Sequence, residues 1–333
     1  MKICSLILYV QNLAIGAMFF YISPLNAQSS LVGTLPMQFN PAFAGAVGSP
    51  RIGTSAYLVS TNFEGFGSRV YKYRRKNLSL SFDKFVPKIG SGIGIQGSYT
   101  NSFRNDSDLP TTDNTDNINL GLSFAPKFSF KGKYTLSPAV EINGNIKNTN
   151  YQHLSHKSEP VNTSFSPGAR LGLSFNASKF YIGASYHFDG NFRNYRGIGW
   201  FGERRGYTAT SGPHGYLQLG YNFQKREDSK FGFSPQLVLG RSKEHFKSSN
   251  QEYSAISNYM LINLNFRYKQ FVWGTSWAGY YGVQLMAGWQ KKNFRIAYLH
   301  AGQFNLTSFV GEVSFRYIFN KKESFKVNKN IDY

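Results

Sequence analysis

The alternation of apolar and polar side chains between Ile256 and Phe319 is the feature that most restricts the fold of this chain. A period of two places successive side chains on opposite faces of a β-sheet. One face carries polar residues such as Asn263, Glu312 and Arg316. The other face is apolar and aromatic: Met260, Ile262, Leu264, Phe266, Tyr268, Phe294, Ile296, Tyr298, Phe309, Val313, Phe315, Tyr317 and Phe319. Such a sheet is either half of a soluble sandwich or the wall of a membrane barrel, with lipid outside and water inside.

Residues 1–27 have the pattern of a secretory signal peptide. Lys2 supplies the positive charge, an apolar run follows, and Leu25-Asn26-Ala27 provides a cleavage site. We predict that the mature chain begins at Gln28, with an uncleaved anchor helix as the alternative. The single cysteine, Cys4, lies in this segment, so the mature chain has no disulfide and no cysteine-based site.

The chain is strongly basic and rich in aromatic residues. Its formal charge of +20 falls to +19 when Lys2, the only charged residue of the signal, is removed. For an exported protein, the phosphates of lipopolysaccharide or an acidic partner are more plausible counterparts than nucleic acid. After the signal no apolar run is long enough for a membrane helix. Barrel strands are compatible with the mean hydropathy of −0.35, because only half of their residues face lipid. The 22 Tyr and 30 Phe suit the aromatic girdles of such a barrel.

Strand-like segments follow one another at regular spacing after residue 50. Each has about the length that crosses a bilayer when it is tilted. The sequence therefore predicts an all-β, outer-membrane antiparallel β-barrel of about 14 strands over residues 51–319. The predicted strands are 51–60, 76–85, 91–101, 116–126, 133–147, 166–176, 179–188, 214–225, 230–243, 256–269, 271–279, 282–290, 293–301 and 307–319.

The predicted connections alternate in length through most of the chain, as short periplasmic turns and longer outer loops do in outer-membrane barrels. Short ones include 86–90, 127–132 and 177–178. Residues 320–333 would form a basic periplasmic tail. The long predicted loops are 61–75, 102–115, 148–165, 189–213 and 244–255.

Residues 28–50 contain turn formers without alternation, and we expect an ordered periplasmic or plug segment there. The run Asn40-Pro41-Ala42-Phe43-Ala44-Gly45 is compatible with a turn, since Asn can cap it and Gly45 tolerates positive φ. This run resembles the opening signature of the PorP/SprF family of type IX secretion system membrane proteins, which follows the signal peptide closely.

Four later motifs also resemble this family: Phe233-Ser234-Pro235-Gln236-Leu237, Trp273-Gly274-Thr275-Ser276, Ile296-Ala297-Tyr298 and Gly311-Glu312-Val313. Two features depart from the family pattern. Tyr57-Leu58-Val59-Ser60 replaces the usual Arg-x-Gln-Trp of the first strand, and the closing strand lacks its His. These departures leave the subgroup and the partner open.

The resemblance implies a non-enzymatic role in a bacterium of the Bacteroidota type. The implied partners are periplasmic ring and motor components of type IX secretion, or a secreted adhesin or enzyme with a carboxy-terminal sorting domain, as in gliding motility. The alternatives are a FadL-like transport channel for small or hydrophobic molecules, which requires a hydrophobic path through the lumen, and a soluble secreted sandwich.

No catalytic constellation, cofactor motif or convincing metal site is visible. His153 and His156, or Asp106, Asp108, Asp113 and Asp116, are more simply interpreted as solvated residues in loops. The 189–213 loop differs because it concentrates arginines and large aromatics, the residue types that anchor protein interfaces. We therefore predict that it contacts a secreted partner or folds into the barrel mouth. Its candidate residues are Arg193, Arg196, Trp200, Phe201, Arg204, Arg205 and Tyr207, with Phe192 and Tyr195 beside them.

Overall fold

A computed structural model of the chain describes residues 35–64, 70–106, 111–131, 133–153, 162–177, 179–189, 197–199, 202–204, 208–223, 230–247, 252–277, 283–291, 293–302 and 308–319. The predicted signal peptide, residues 1–27, and the predicted tail, residues 320–333, lie outside these ranges. No helix in the described ranges is long and apolar enough to cross a membrane.

Fourteen antiparallel strands form one closed barrel, which confirms the predicted fold class and strand number. The amino-terminal strand closes the ring by pairing Arg51 with Ile318 of the last strand. The strands are β1 (Arg51–Glu64), β2 (Val70–Val86), β3 (Ser91–Asp106), β4 (Thr111–Pro126), β5 (Tyr134–His153), β6 (Asn162–Asn176), β7 (Phe180–Asp189), β8 (Thr208–Tyr221), β9 (Phe231–Lys247), β10 (Glu252–Tyr268), β11 (Phe271–Trp277), β12 (Val283–Lys291), β13 (Phe294–Gly302) and β14 (Ser308–Ile318).

Side chains on this barrel are distributed inside out compared with a soluble protein. Leu120, Leu122 and Ile142 point outward and are 59%, 62% and 70% exposed. Their inward-facing neighbours Ser123 and Glu141 are buried. An apolar outer face and a polar interior fit a wall that meets lipid on one side only. This arrangement decides between the two sequence interpretations in favour of the membrane barrel over the soluble sandwich.

Aromatic side chains gather at the end of the barrel where the connections are short. Phe223, just after β8, and Phe233, Phe266 and Trp273 on the next three strands form a row of rings, with consecutive rings stacked at centroid distances of 5.4, 4.8 and 6.0 Å. Girdles of aromatic residues mark the membrane–water interfaces of outer-membrane barrels. We therefore place one membrane boundary at this level and call this end of the barrel the short-turn end.

Four of the predicted long loops are wrong, because the strands continue through most of them. β1 and β2 pair as far as Glu64 and Val70, and β3 and β4 as far as Asn105 and Thr112. In the same way, β5 and β6 extend through most of the predicted loop 148–165, and β9 and β10 through most of 244–255. The apolar alternation stops at the membrane boundary, but the backbone pairing of these strands continues beyond it through mostly polar residues.

The strands differ greatly in length around the ring. β5 has 20 residues, whereas β11 has 7 and β12 and β13 have 9 each. Because all of them meet at the short-turn end, the opposite rim is high along β2–β6 and β9–β10 and low along β11–β13.

Candidate functional site

Residues 35–50, which we call the plug segment, fold into two short 3₁₀ turns before β1. The turns are Pro36–Gln38 and Pro41–Phe43, each begun by a proline whose fixed φ suits that position. Between them Asn40 is extended, as a residue before proline should be, and its Oδ1 accepts a hydrogen bond from the Ala42 amide at 2.9 Å. Gly45 then turns the chain with a φ of +64°.

The plug segment lies inside the lumen and is almost completely buried. Asn40, Ala42 and Ala44 have no measurable exposure. Asn40 Nδ2 donates to two strand carbonyls, Leu173 O at 3.0 Å and Ala184 O at 3.1 Å. Since β6 ends at Asn176 and β7 begins at Phe180, these contacts place the plug segment near the short-turn end.

Side chains of the barrel wall hold the plug segment mainly by donating hydrogen bonds to the backbone carbonyls of the plug segment. A buried carbonyl without a partner costs free energy, so these bonds fix both the position and the shape of the segment. Each donor comes from an inward-facing side chain or from the turn after β4. The bonds are Arg170 Nη1 to Met37 O at 3.1 Å and to Gln38 O at 2.9 Å, Ser185 Oγ to Phe39 O, Lys127 Nζ to Ala42 O at 2.7 Å, and Arg51 Nη2 to Phe43 O at 3.3 Å.

A buried ion pair anchors the carboxy-terminal end of the plug segment. Asp83 of β2 accepts from Arg51 Nε at 2.8 Å and from Arg51 Nη2 at 3.1 Å. Its Oδ2 also accepts from the Gly45 amide at 2.7 Å. One carboxylate therefore joins β1, β2 and the turn at Gly45.

Glycines in the wall make room for the plug segment. A Cβ on Gly92 would overlap the Ala44 carbonyl, and one on Gly172 would overlap the Asn40 side chain. At Gly94 it would lie 2.5 Å from Met37 Sδ. Glycine inside a strand commonly marks such a close approach of another part of the chain.

Apolar contacts complete the fit. Phe39 packs against Val238, Leu261 and Tyr216, with an edge-on ring distance of 6.2 Å to the tyrosine. Phe43 makes a similar edge-on contact with Tyr181 at 5.6 Å. A third cluster joins the small residues of the segment to the wall: Met37, Ala42, Ala44, Ala125 and Ala139. The segment thus touches inward-facing residues on strands from β1 to β10.

A polar layer lies against the amino-terminal end of the plug segment. Glu141 is fully buried and accepts from Gln96 Nε2 at 2.9 Å and from Ser123 Oγ at 2.8 Å. The same carboxylate lies 3.8 Å from Arg170, whose other contacts are the plug carbonyls. Charge on Glu141 therefore helps to orient the guanidinium that holds Met37 and Gln38.

The pKa of Lys127, in the turn after β4, is shifted by burial and by neighbouring charges. Burial lowers the pKa of its ammonium to about 7, with Asp83 opposing this shift and Arg51 adding to it. A lysine with such a pKa is partly neutral near pH 7, yet its Nζ still donates to Ala42 O.

Sequence reasoning singled out Asn40, Pro41, Ala42, Phe43, Ala44 and Gly45, and the structure places all six in the plug segment. It missed Asp83, Arg170, Ser185 and Glu141 of the wall. A usable signal was present in Gly92-Ile93-Gly94, where glycine occupies two successive inward positions of a strand.

Of the seven candidate residues in the 189–213 loop, only Arg204 is among the described residues. Arg193, Arg196, Trp200, Phe201, Arg205 and Tyr207 lie outside the described residues. Arg204 ends a three-residue strand, Gly202–Arg204, that pairs with Gly197–Gly199. The prediction for this loop therefore stays a prediction.

The acidic residues of the predicted 102–115 loop lie on strands where they are described. Asp106 belongs to β3, and Asp113 and Asp116 belong to β4. Asp116 accepts from Tyr99 Oη at 2.6 Å and from Asn101 Nδ2 at 2.9 Å. Within the described ranges, no three His, Cys, Asp or Glu residues are grouped closely enough to hold a metal ion.

Solved structures similar to this chain are outer-membrane barrels. A FadL homologue of Pseudomonas aeruginosa has a TM-score of 0.52 and 12% identity, covering 84% of this chain and 93% of that one. The CymD monoaromatic hydrocarbon channel has a TM-score of 0.51 and 11% identity, covering 86% and 93%. At such identities the likeness concerns the fold alone. No curated protein matches this chain.

A family model matches residues 27–317, nearly the whole chain, and it is that of the type IX secretion system membrane protein PorP/SprF. The match confirms the resemblance carried by residues 40–45 and the later strand motifs. Together with the barrel, it places the protein in the outer membrane. The chain belongs to the PorP/SprF family of type IX secretion system membrane proteins.

Proposed function

We propose that this barrel is a non-enzymatic component of type IX secretion that holds an exported adhesin or enzyme at the cell surface. The observation that supports this role best is the plug segment, which is buried and bonded to the wall at the short-turn end. A barrel filled in this way is better suited to act as a rigid membrane-embedded support than as a conduit.

The two ends of the barrel then take different partners. In outer-membrane barrels the short turns face the periplasm, so periplasmic ring and motor components would meet the end beneath the plug segment. The exported protein would meet the opposite rim, where the loop containing Trp200, Arg204 and Arg205 supplies interface-type residues.

A pull-down of the tagged protein from native membranes in mild detergent tests this role. We expect one large exported protein with a carboxy-terminal sorting domain, together with type IX ring components, identified by mass spectrometry. An unrelated outer-membrane barrel with the same tag is the control. Recovery of the barrel alone, with lipids or small ligands only, would contradict the proposal.

A second candidate, a channel for small hydrophobic molecules, is favoured by one group of inward-facing residues. Met286, Ala297, Leu299 and Ala301 form a buried apolar cluster, with Val310 packed against it. Among the similar folds, CymD is named as a monoaromatic hydrocarbon channel. Conductance in planar bilayers separates the two roles. We expect the full-length barrel to be closed and a variant lacking residues 35–46 to be open, whereas a working channel would conduct or take up ligand with the segment in place.

A further inference from the structure

One edge of β10 has no strand beside it over more than half of its length. β10 runs from Glu252 to Tyr268 and pairs with β9 along all 17 residues. On its other side, β11 pairs only with Ile262–Tyr268. Among the described strands, none lies beside the stretch Glu252–Leu261 on the β11 side.

The connection that follows β11 has only five residues, 278–282. Trp277, the last residue of β11, pairs with Val283, the first residue of β12, so residues 278–282 are used in linking those two strands. Shorter stretches also lack a described neighbour on one side, the longest being Asn162–Pro167 of β6 and Thr208–Pro213 of β8. These flank β7 and its connection to β8, much of which lies outside the described residues. Among the described strands, Glu252–Leu261 is the longest stretch without a neighbour on one side.

Most of this unpaired stretch of β10 lies outside the membrane. It stands at the rim opposite the short-turn end, next to the short strands β11–β13. With a strand rise of about 3.4 Å, a tilt of about 40° and an apolar band of about 25 Å, roughly ten residues cross the membrane. Counting from Tyr268 at the short-turn end, the band ends near Tyr259. The apolar alternation agrees, since Met260 continues it and Asn258 does not. Glu252–Asn258 therefore stands outside the band.

This edge lacks the features that usually prevent strand addition. Natural edge strands are commonly protected by lysine, proline, bulges or short length. The stretch Glu252–Leu261 has no Lys, Arg, Pro or Gly, and its pairing with β9 is regular throughout. An edge of this kind offers alternate backbone N–H and C=O groups to an extended chain.

We propose that the open edge of β10, Glu252–Asn258, binds an extended segment of the exported partner protein by adding it to the barrel sheet as a further strand. This proposal rests on the proposed anchoring function and locates the contact. A second copy of the barrel fits less well. Two copies in one membrane point the same way along its normal, which excludes antiparallel pairing of this edge with itself, the more stable mode.

Photo-crosslinking in cells that export the partner tests the proposal with controls at matched height. A benzophenone side chain is placed at Tyr253 or Ser254 in β10, or at their β9 partners Phe246 and His245, which have strands on both sides. We expect crosslinks from the β10 positions to one extended segment of one exported protein, and none from β9. Equal crosslinking from β9, or capture only of lipopolysaccharide or of another barrel copy, would overturn the proposal.

Proline substitution adds a test of the backbone pairing itself. Successive residues of a strand direct their N–H groups to opposite neighbouring strands. Of Ser254 and Ser257, one therefore donates its N–H toward β9 and the other toward the unpaired edge. We expect only one of Ser254→Pro and Ser257→Pro to abolish the crosslink while leaving the heat stability of the barrel nearly unchanged. The other should weaken the β9–β10 pairing. If the partner co-purifies with both proline variants at wild-type levels, the proposed binding at the β10 edge is wrong, but the anchoring function is not affected. If no partner co-purifies with the wild-type barrel, both the anchoring function and the binding at the β10 edge are wrong.

Discussion

Asp83 Oδ1 accepts a hydrogen bond from Arg51 Nε at 2.8 Å, and the two side chains are only 1% and 2% exposed. The same carboxylate accepts from the Gly45 amide. Asp83→Asn would leave the guanidinium buried without its charge partner, which typically costs about 3–5 kcal/mol. We expect faster amide hydrogen exchange at Gly45 and a lower unfolding temperature in detergent. Asp116→Asn, on the outer face, is the control and should change neither; equal effects from both would contradict this role of Asp83.

The close fit between Gly92 and Ala44 predicts a sharp response to a single methyl group. Gly92→Ala would push against the Ala44 carbonyl and should destabilise the folded barrel by about 1–3 kcal/mol. Gly215→Ala is the matched control, because the nearest atom to its new Cβ lies 3.8 Å away. Chemical denaturation in detergent measures both. If the two variants unfold alike, the plug segment is not held against β3 as described.

The lipid-facing position of Leu122 predicts that charge is poorly tolerated there. Leu122→Arg should lower the free energy of unfolding in vesicles by about 2–4 kcal/mol if it lies near the bilayer centre. Asn119→Arg, on the inward face of the same strand, should cost much less. A urea titration with lipid vesicles compares them, and the reverse order would place the apolar face of β4 inside.

The pKa of Lys127 predicts a dependence of stability on pH. Its folded value of about 7 lies below the value of about 10.4 expected in the unfolded chain, so between these values the unfolded state binds more protons. The free energy of unfolding should therefore rise as the pH increases from 7 to 9. Lys127→Met should reduce this slope, measured by unfolding at both pH values, whereas an unchanged slope would show that Lys127 does not cause it.

The candidate loop predicts a loss of surface retention without loss of the barrel. Replacing Trp200, Arg204 and Arg205 with Ala should lower the amount of partner held at the surface, measured by antibody labelling of intact cells. Arg74→Ala with Lys76→Ala removes the same charge from the exposed outer face of β2 and should have little effect. Normal retention with the loop variant would exclude this loop as the contact.

The sequence predicted the barrel well because the lipid imposes a local rule on it. Leu120 and Leu122 must face outward wherever the strand crosses the band, so a period of two reveals both the strand and its faces. No such rule operates at Glu64 or Val70, where pairing continues among polar residues outside the band. The end of β1 was therefore placed too early and the start of β2 too late.

The plug contacts were hidden from sequence reasoning for a different reason. Asn40 bonds to Leu173 across 133 residues, and Phe39 to Ser185 across 146. Nothing in the local pattern around Ser185 or Arg170 says which chain segment will lie opposite. The motif at Asn40–Gly45 indicated that something specific occurs there, but only the closed ring shows what it touches.

The pairing of Arg51 with Ile318 has a consequence for how the molecule folds. The seam joins the first strand to the last, so the ring cannot close before nearly the whole chain has been delivered. Contacts of such long range slow folding, because a large loop must lose its freedom before they are gained. Until the ring closes, the plug segment lacks its complete binding surface. The apolar outer faces of the strands are then not yet covered by lipid. The unclosed chain is therefore aggregation-prone, and we expect its biogenesis to depend on periplasmic chaperones until the seam forms.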